Sequence, residues 1–126
     1  MIDHVSLAVR DLTAASTFYE AVLGALGYDK LIVRDGSIGF GKRYPEFWIN
    51  LRKSMASVEP DSGVHICLRT RTRESVDAFY ATALENGGVD DGEPGLRPQY
   101  SDTYYAAFVR DPDGNRIEAV TFLEKS

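Results

Sequence analysis

The chain has 126 residues, the length of one ordinary domain and enough to bury a core without staples. Its 19 acidic and 14 basic residues leave a formal charge of −5, which argues against nucleic acid or anionic membranes as partners. A single cysteine, Cys67, excludes an intrachain disulfide and fits a reducing compartment. No apolar run approaches the ~20 residues of a membrane span, and no leader pattern opens the chain, so a cytoplasmic protein is expected.

Residues 2–10 alternate. Val5, Leu7 and Val9 face one way and His4, Ser6 and Ala8 the other, the period of a half-buried strand. Asp11 can cap a helix that carries Leu12, Ala15, Phe18, Tyr19, Val22, Leu23 and Leu26 at helical spacing, with Gly27 as its stop. Strands are predicted at Tyr28–Arg34, Ser37–Gly41 and Phe47–Arg52, the first two joined by the tight-turn dipeptide Asp35-Gly36. Met55–Gly63 has linker composition, and then the pattern restarts. Val64–Thr70 reads as a strand and Thr72 as the cap of a helix with Val76, Phe79, Tyr80, Ala83 and Leu84 on one face. Asn86-Gly87-Gly88 ends that helix. A weak strand at Val89–Asp91 leads into a Pro- and Gly-rich loop, Glu93–Thr103. Two further strands, Tyr104–Arg110 and Arg116–Phe122, flank the turn Asp111-Pro112-Asp113-Gly114-Asn115.

The two halves are a repeat. Asp3-His4-Val5-Ser6-Leu7 lies over Val64-His65-Ile66-Cys67-Leu68, and without a gap Phe18-Tyr19 falls on Phe79-Tyr80 and Gly27 on Gly88. The expected fold is α+β: two βαβββ repeats forming a cupped mixed sheet with helices on its outer face. Module 1 runs over about 1–54, the linker over 55–63 and module 2 over about 64–126. A unit of this size is marginal alone, so the halves form one domain over 1–126.

His4 and His65 are the only histidines, and alternation turns both away from the helices. The last strand adds Glu118, an inward carboxylate that needs a partner. Matching Ile117 to Ile49 makes Asn50 its counterpart in the first module. Two imidazoles and a carboxylate are a facial ligand set that leaves positions open for substrate, although three mixed donors admit Fe, Mn, Ni, Co or Zn. Asn50, Trp48, Arg97, Tyr100 and Tyr104 are candidate substrate contacts, with Tyr44 and Arg52 as further rim residues. Cys67 shares the face of His65 and reads best as a small packed side chain. Phe18-Tyr19 and Phe79-Tyr80 sit at core spacing and read as structural.

Asp3-His4-Val5, Val64-His65-Ile66 and above all Asp111-Pro112-Asp113-Gly114-Asn115-Arg116-Ile117-Glu118 resemble the glyoxalase / bleomycin-resistance / extradiol-dioxygenase superfamily, also called vicinal oxygen chelate proteins. The resemblance covers nearly the whole chain. It implies a cup built from paired modules, a divalent metal held by His4, His65 and Glu118, a small-molecule substrate and a homodimer. It also implies a glutamate where Asn50 stands, a residue that takes a proton in lactoylglutathione lyase and that an amide cannot replace. The expected function is therefore metal-dependent lyase or isomerase chemistry on a small oxygenated molecule, with Glu118 as the catalytic carboxylate, distinct from lactoylglutathione lyase. The alternatives are a metal-free drug- or metabolite-binding protein of the bleomycin-resistance type, a dioxygenase and a thiol transferase.

Overall fold

The structure is a computed structural model that describes residues 1–59 and 61–124. Pro60 of the expected linker and the last two residues of the expected second module lie outside the described residues. The elements follow in the order β1 (Val5–Val9), α1 (Leu12–Ala25), β2 (Asp29–Val33), β3 (Ser37–Gly41), β4 (Pro45–Leu51), β5 (Ile66–Arg69), α2 (Arg73–Glu85), β6 (Val89–Leu96), β7 (Tyr104–Arg110) and β8 (Arg116–Phe122). This is βαβββ twice. Each module has its own four-stranded mixed sheet, ordered β1-β4-β3-β2 in the first and β5-β8-β7-β6 in the second. In each, the first and last strands pair in parallel and the other pairs are antiparallel.

The helices start where the caps predict. The Asp11 carboxylate accepts from Ala14 N at 3.0 Å and the Thr72 hydroxyl from Ser75 N at 3.1 Å, each satisfying a donor that a helix start would leave unpaired. Phe18, Tyr19, Val22 and Leu23 of α1 and Val76, Phe79 and Ala83 of α2 are fully buried. They pack with Ile49, Val109 and Ile117 from the sheets into one core, in which the two helices also pack on each other. Burying a large side chain of this kind stabilises the fold by about 1.5–3 kcal/mol. No helix among the described residues is long and apolar enough to cross a membrane.

The Asp-Pro-Asp-Gly-Asn turn does more than join β7 to β8. Asp111, 2% exposed, accepts from the Tyr19 hydroxyl at 2.6 Å across the module boundary. Asp113 accepts from Arg10 N at 3.0 Å and Arg10 Nε at 2.8 Å, and Asn115 Nδ2 donates to Ala8 O at 3.0 Å. The turn is thus a polar clasp on the end of β1. Burial raises the Asp111 carboxyl above its usual range, against the opposing pull of the hydrogen bonds from Tyr19 and Asn115.

Three local expectations need correction. The segment expected as loop from Glu93 continues β6 to Leu96, with register shifts between Asp90 and Gly92 and between Gly92 and Gly95. Bulges break the alternation that announces a strand, and Pro94 is tolerated because β6 is an edge. Helix α2 keeps the repeat register of α1 at its cap and buried positions but ends one residue sooner. Gly87, with φ 94°, takes the role of Gly27 with φ 89°, Ala83 is buried, and Leu84 is 42% exposed. Gly88 stays small because a Cβ there would lie 2.8 Å from the Phe18 ring. Finally, β1 and β5 begin at Val5 and Ile66, so both histidines sit one residue before their strands.

Candidate functional site

Strand parity gives each sheet a helix-facing side and an open side. On the open side of module 2, Cys67 stands opposite Glu118 and Phe108 on the other flank of Glu118. Glu118 is 2% exposed, a carboxylate surrounded by sheet, and it has two partners. His65 Nε2 lies 2.9 Å from its Oε1, and the Tyr104 hydroxyl donates to its Oε2. A buried carboxylate needs such partners, and here side chains of β7 and of the β5 entry supply them. The Tyr104 hydroxyl is pushed far above its ordinary value, first by burial and then by the hydrogen bond to Glu118, so it stays a proton donor at neutral pH. Cys67 Sγ lies 4.0 Å from the same hydroxyl. Partial burial of the sulfur, followed by the Glu118 charge, pushes its thiol up to about 12.

His65 and His4 both border one cavity of about 340 Å³, together with Asp3, Cys67 and Glu46. His4 Nδ1 is 2.7 Å from Asp3 Oδ1 rather than in contact with Glu118. Two of the expected metal donors therefore touch, and the third faces the same space from the other module. Among the described residues no three His, Cys, Asp or Glu side chains are gathered in ligand geometry. The cavity is bordered by the His65 imidazole, and Glu118 lies buried behind it; an imidazole in contact with a carboxylate is a donor pair of the right chemistry for a divalent ion.

His4 also borders a second cavity, of about 560 Å³, on the open face of module 1. Its lining includes Trp48, Asn50, Arg34, Arg52 and Tyr44. Here the register changes one expectation. Cys67 pairs with Glu118, and the equivalent Ser6 pairs with Trp48; Asn50 pairs with Ala8. Trp48, and not Asn50, thus occupies the place of Glu118 in the first module. A slip of two residues leaves parity unchanged, so alternation alone could not detect it. Asn50 spends its amide nitrogen on Ser6 Oγ at 2.7 Å and Leu7 O at 3.1 Å, which fixes its orientation on that face.

The remaining candidates cluster on module 2. The Arg97 guanidinium lies 5.4 Å above the Phe108 ring and donates to Glu93 O at 2.6 Å, while the exposed Tyr100 packs against Tyr104 with the rings tilted and 5.1 Å apart. Tyr104 itself contacts Phe122 edge-on at 5.3 Å. Sequence reasoning missed Arg34 and Ser37. Both flank the Asp35-Gly36 turn, where turn chemistry hid the strand parity that puts them on the open face.

These features match known proteins. A family model described as the Glyoxalase/Bleomycin resistance protein/Dioxygenase superfamily matches residues 1–119. The chain is similar to "Uncharacterized protein YwbC" of Bacillus subtilis (strain 168), at 34% identity over 93% of this chain and 94% of that one. Among solved structures it is similar to a glyoxalase/bleomycin resistance protein from Albidiferax ferrireducens T118, with a TM-score of 0.84 and 31% identity over 96% of this chain and 98% of that one. Hypothetical protein SA1046 from S. aureus shares the fold, with a TM-score of 0.71 at 23% identity over 96% and 94% of the two chains. Paired βαβββ modules, the clasp built from Asp111 to Asn115 and these likenesses lead to one conclusion: the chain belongs to the Glyoxalase/Bleomycin resistance protein/Dioxygenase superfamily.

Proposed function

We propose that the chain is a metal-dependent enzyme of this superfamily acting on a small oxygenated molecule by lyase or isomerase chemistry. The observation that carries the reading is the contact of His65 Nε2, which borders a cavity, with the buried Glu118 Oε1. His65 and Glu118 would hold the ion, with His4 as the third donor from across the cavity. A divalent ion in such a site supplies electrophilic polarisation of a ligand's oxygen atoms. The chain's own groups do the rest. Tyr104 holds Glu118 in place and keeps its own proton. Glu118 would be the carboxylate that takes up a proton in the reaction. Asn50 is an amide, already committed to Ser6 and Leu7, and takes no proton.

Trp48, Arg97, Tyr100 and Tyr104 would contact the substrate from the open faces. We further propose a homodimer that closes over these faces, which leave Tyr100 and Phe122 exposed in a single chain. One observation favours a second reading, a metal-free binding protein: Glu118 already has two side-chain partners without any ion. Metal uptake separates the two. After incubation with Mn, Fe, Co, Ni or Zn and gel filtration, the enzyme reading expects about one ion per chain, lost in His65→Ala and Glu118→Ala. A chain that retains none of the five metals overturns it in favour of the binding protein.

A further inference from the structure

Although the chain is acidic overall, its arginines are divided by place. Arg10 is paired with Asp113, and Arg110 and Arg116 share Asp91. Arg34 and Arg52 line the cavity on the open face of module 1, and among the described residues neither has a carboxylate partner. The one acidic side chain in that lining, Asp3, is bonded to His4.

The way Arg34 is held matters. Its guanidinium sits 4.9 Å above the Trp48 ring, a cation–π contact that holds the charge over the cavity floor and uses none of its N–H donors. Trp48 is itself pressed on bare backbone: a Cβ at Gly39 would lie 3.0 Å from the indole. Arg52 donates one N–H to Leu51 O at 2.8 Å and keeps the others. Ser6 Oγ accepts from Asn50 at 2.7 Å, so its own proton remains to be donated. The face therefore presents two oriented guanidiniums and a spare hydroxyl proton, a donor set for an oxyanion.

We propose that this cavity is an anion subsite that takes the carboxylate of the small molecule bound by the cup. The inference rests on the open faces being the ligand site, and it names the charge of that ligand.

Trp48 is the sole tryptophan, so its fluorescence reports on the subsite directly. The probes are glutarate, its neutral diamide glutaramide and the dication 1,5-diaminopentane, titrated at constant ionic strength into the full chain. Glutarate is expected to give a saturable change, and the other two none. Arg34→Gln and Arg52→Gln each weaken glutarate about tenfold or more. Arg43→Gln, an exposed arginine outside the cavity lining, removes the same charge and leaves binding unchanged. Equal binding of glutaramide or the diamine overturns the proposal, as does unchanged glutarate binding in Arg34→Gln and Arg52→Gln variants that give wild-type circular dichroism. Metal content is measured on the same samples. Metal uptake without glutarate binding sinks the anion subsite alone, and glutarate binding without metal sinks only the enzyme reading.

Discussion

Glu118 and Cys67 face each other across one register pair, and their chemistry is linked. Because the Cys67 thiol is raised to about 12 from the ordinary 9.0, its thiolate is about a thousandfold scarcer at neutral pH than that of an unperturbed cysteine. A raised thiol pKa means the reactive form appears only as pH climbs toward 12. Cys67 is exposed and is the one cysteine, so alkylation by iodoacetamide measures it cleanly. The rate at pH 8 should be far below that of free cysteine and should keep rising with pH through 11. Glu118→Gln removes one of the raising influences and should speed the reaction. A plateau near pH 9 would contradict the assignment. Stability reads the same residue differently. Glu118→Ala strands the Tyr104 hydroxyl and leaves a gap in the sheet face, at a cost of about 2–3 kcal/mol in urea unfolding. Glu118→Gln, which keeps the shape and an acceptor, should cost about 1 kcal/mol or less.

The turn between β7 and β8 binds one module to the other, and its energy can be isolated at the level of the element. Tyr19→Phe removes one buried hydrogen bond and should cost about 1–2 kcal/mol, while Asp111→Ala, which also strands backbone donors of Asp113 and Asn115, should cost about 3 kcal/mol. The double variant should cost less than the sum, since both changes break the same bond. Additive losses would place the two residues in separate interactions. The same turn explains what was legible in the sequence. Its composition marked a turn and a family, because Asp, Pro, Gly and Asn act locally. Its grip on Arg10, Tyr19 and Ala8 is long-range and left no local sign. Register behaves alike: both caps and the repeat were readable, whereas the pairing of Ser6 with Trp48 depends on how β4 slides along β1. The exposure of Leu84 escaped because Ala83 and Leu84 are both acceptable on an apolar helix face.

For the whole molecule, the fold was readable because two modules repeat one hydrophobic pattern, and only a two-layer arrangement of sheets and helices buries both. The site was readable in part. His65 and Glu118 came together as their parity required, while His4 stayed with Asp3 on the far side of a shared cavity. Parity tells which face a residue takes, not how far two faces stand apart. A homodimer would cover the exposed Phe122 and Tyr100, so Phe122→Asp should shift sedimentation from dimer toward monomer, while metal uptake, whose three donors lie in one chain, should be retained.

If one ion is held by His4, His65 and Glu118, pulsed electron paramagnetic resonance on the Mn(II)-loaded protein, which counts imidazole nitrogens coupled to the metal, will find two. The count should fall to one in His4→Ala and in His65→Ala. No imidazole coupling, or a signal indifferent to His4→Ala, would contradict this ligand set.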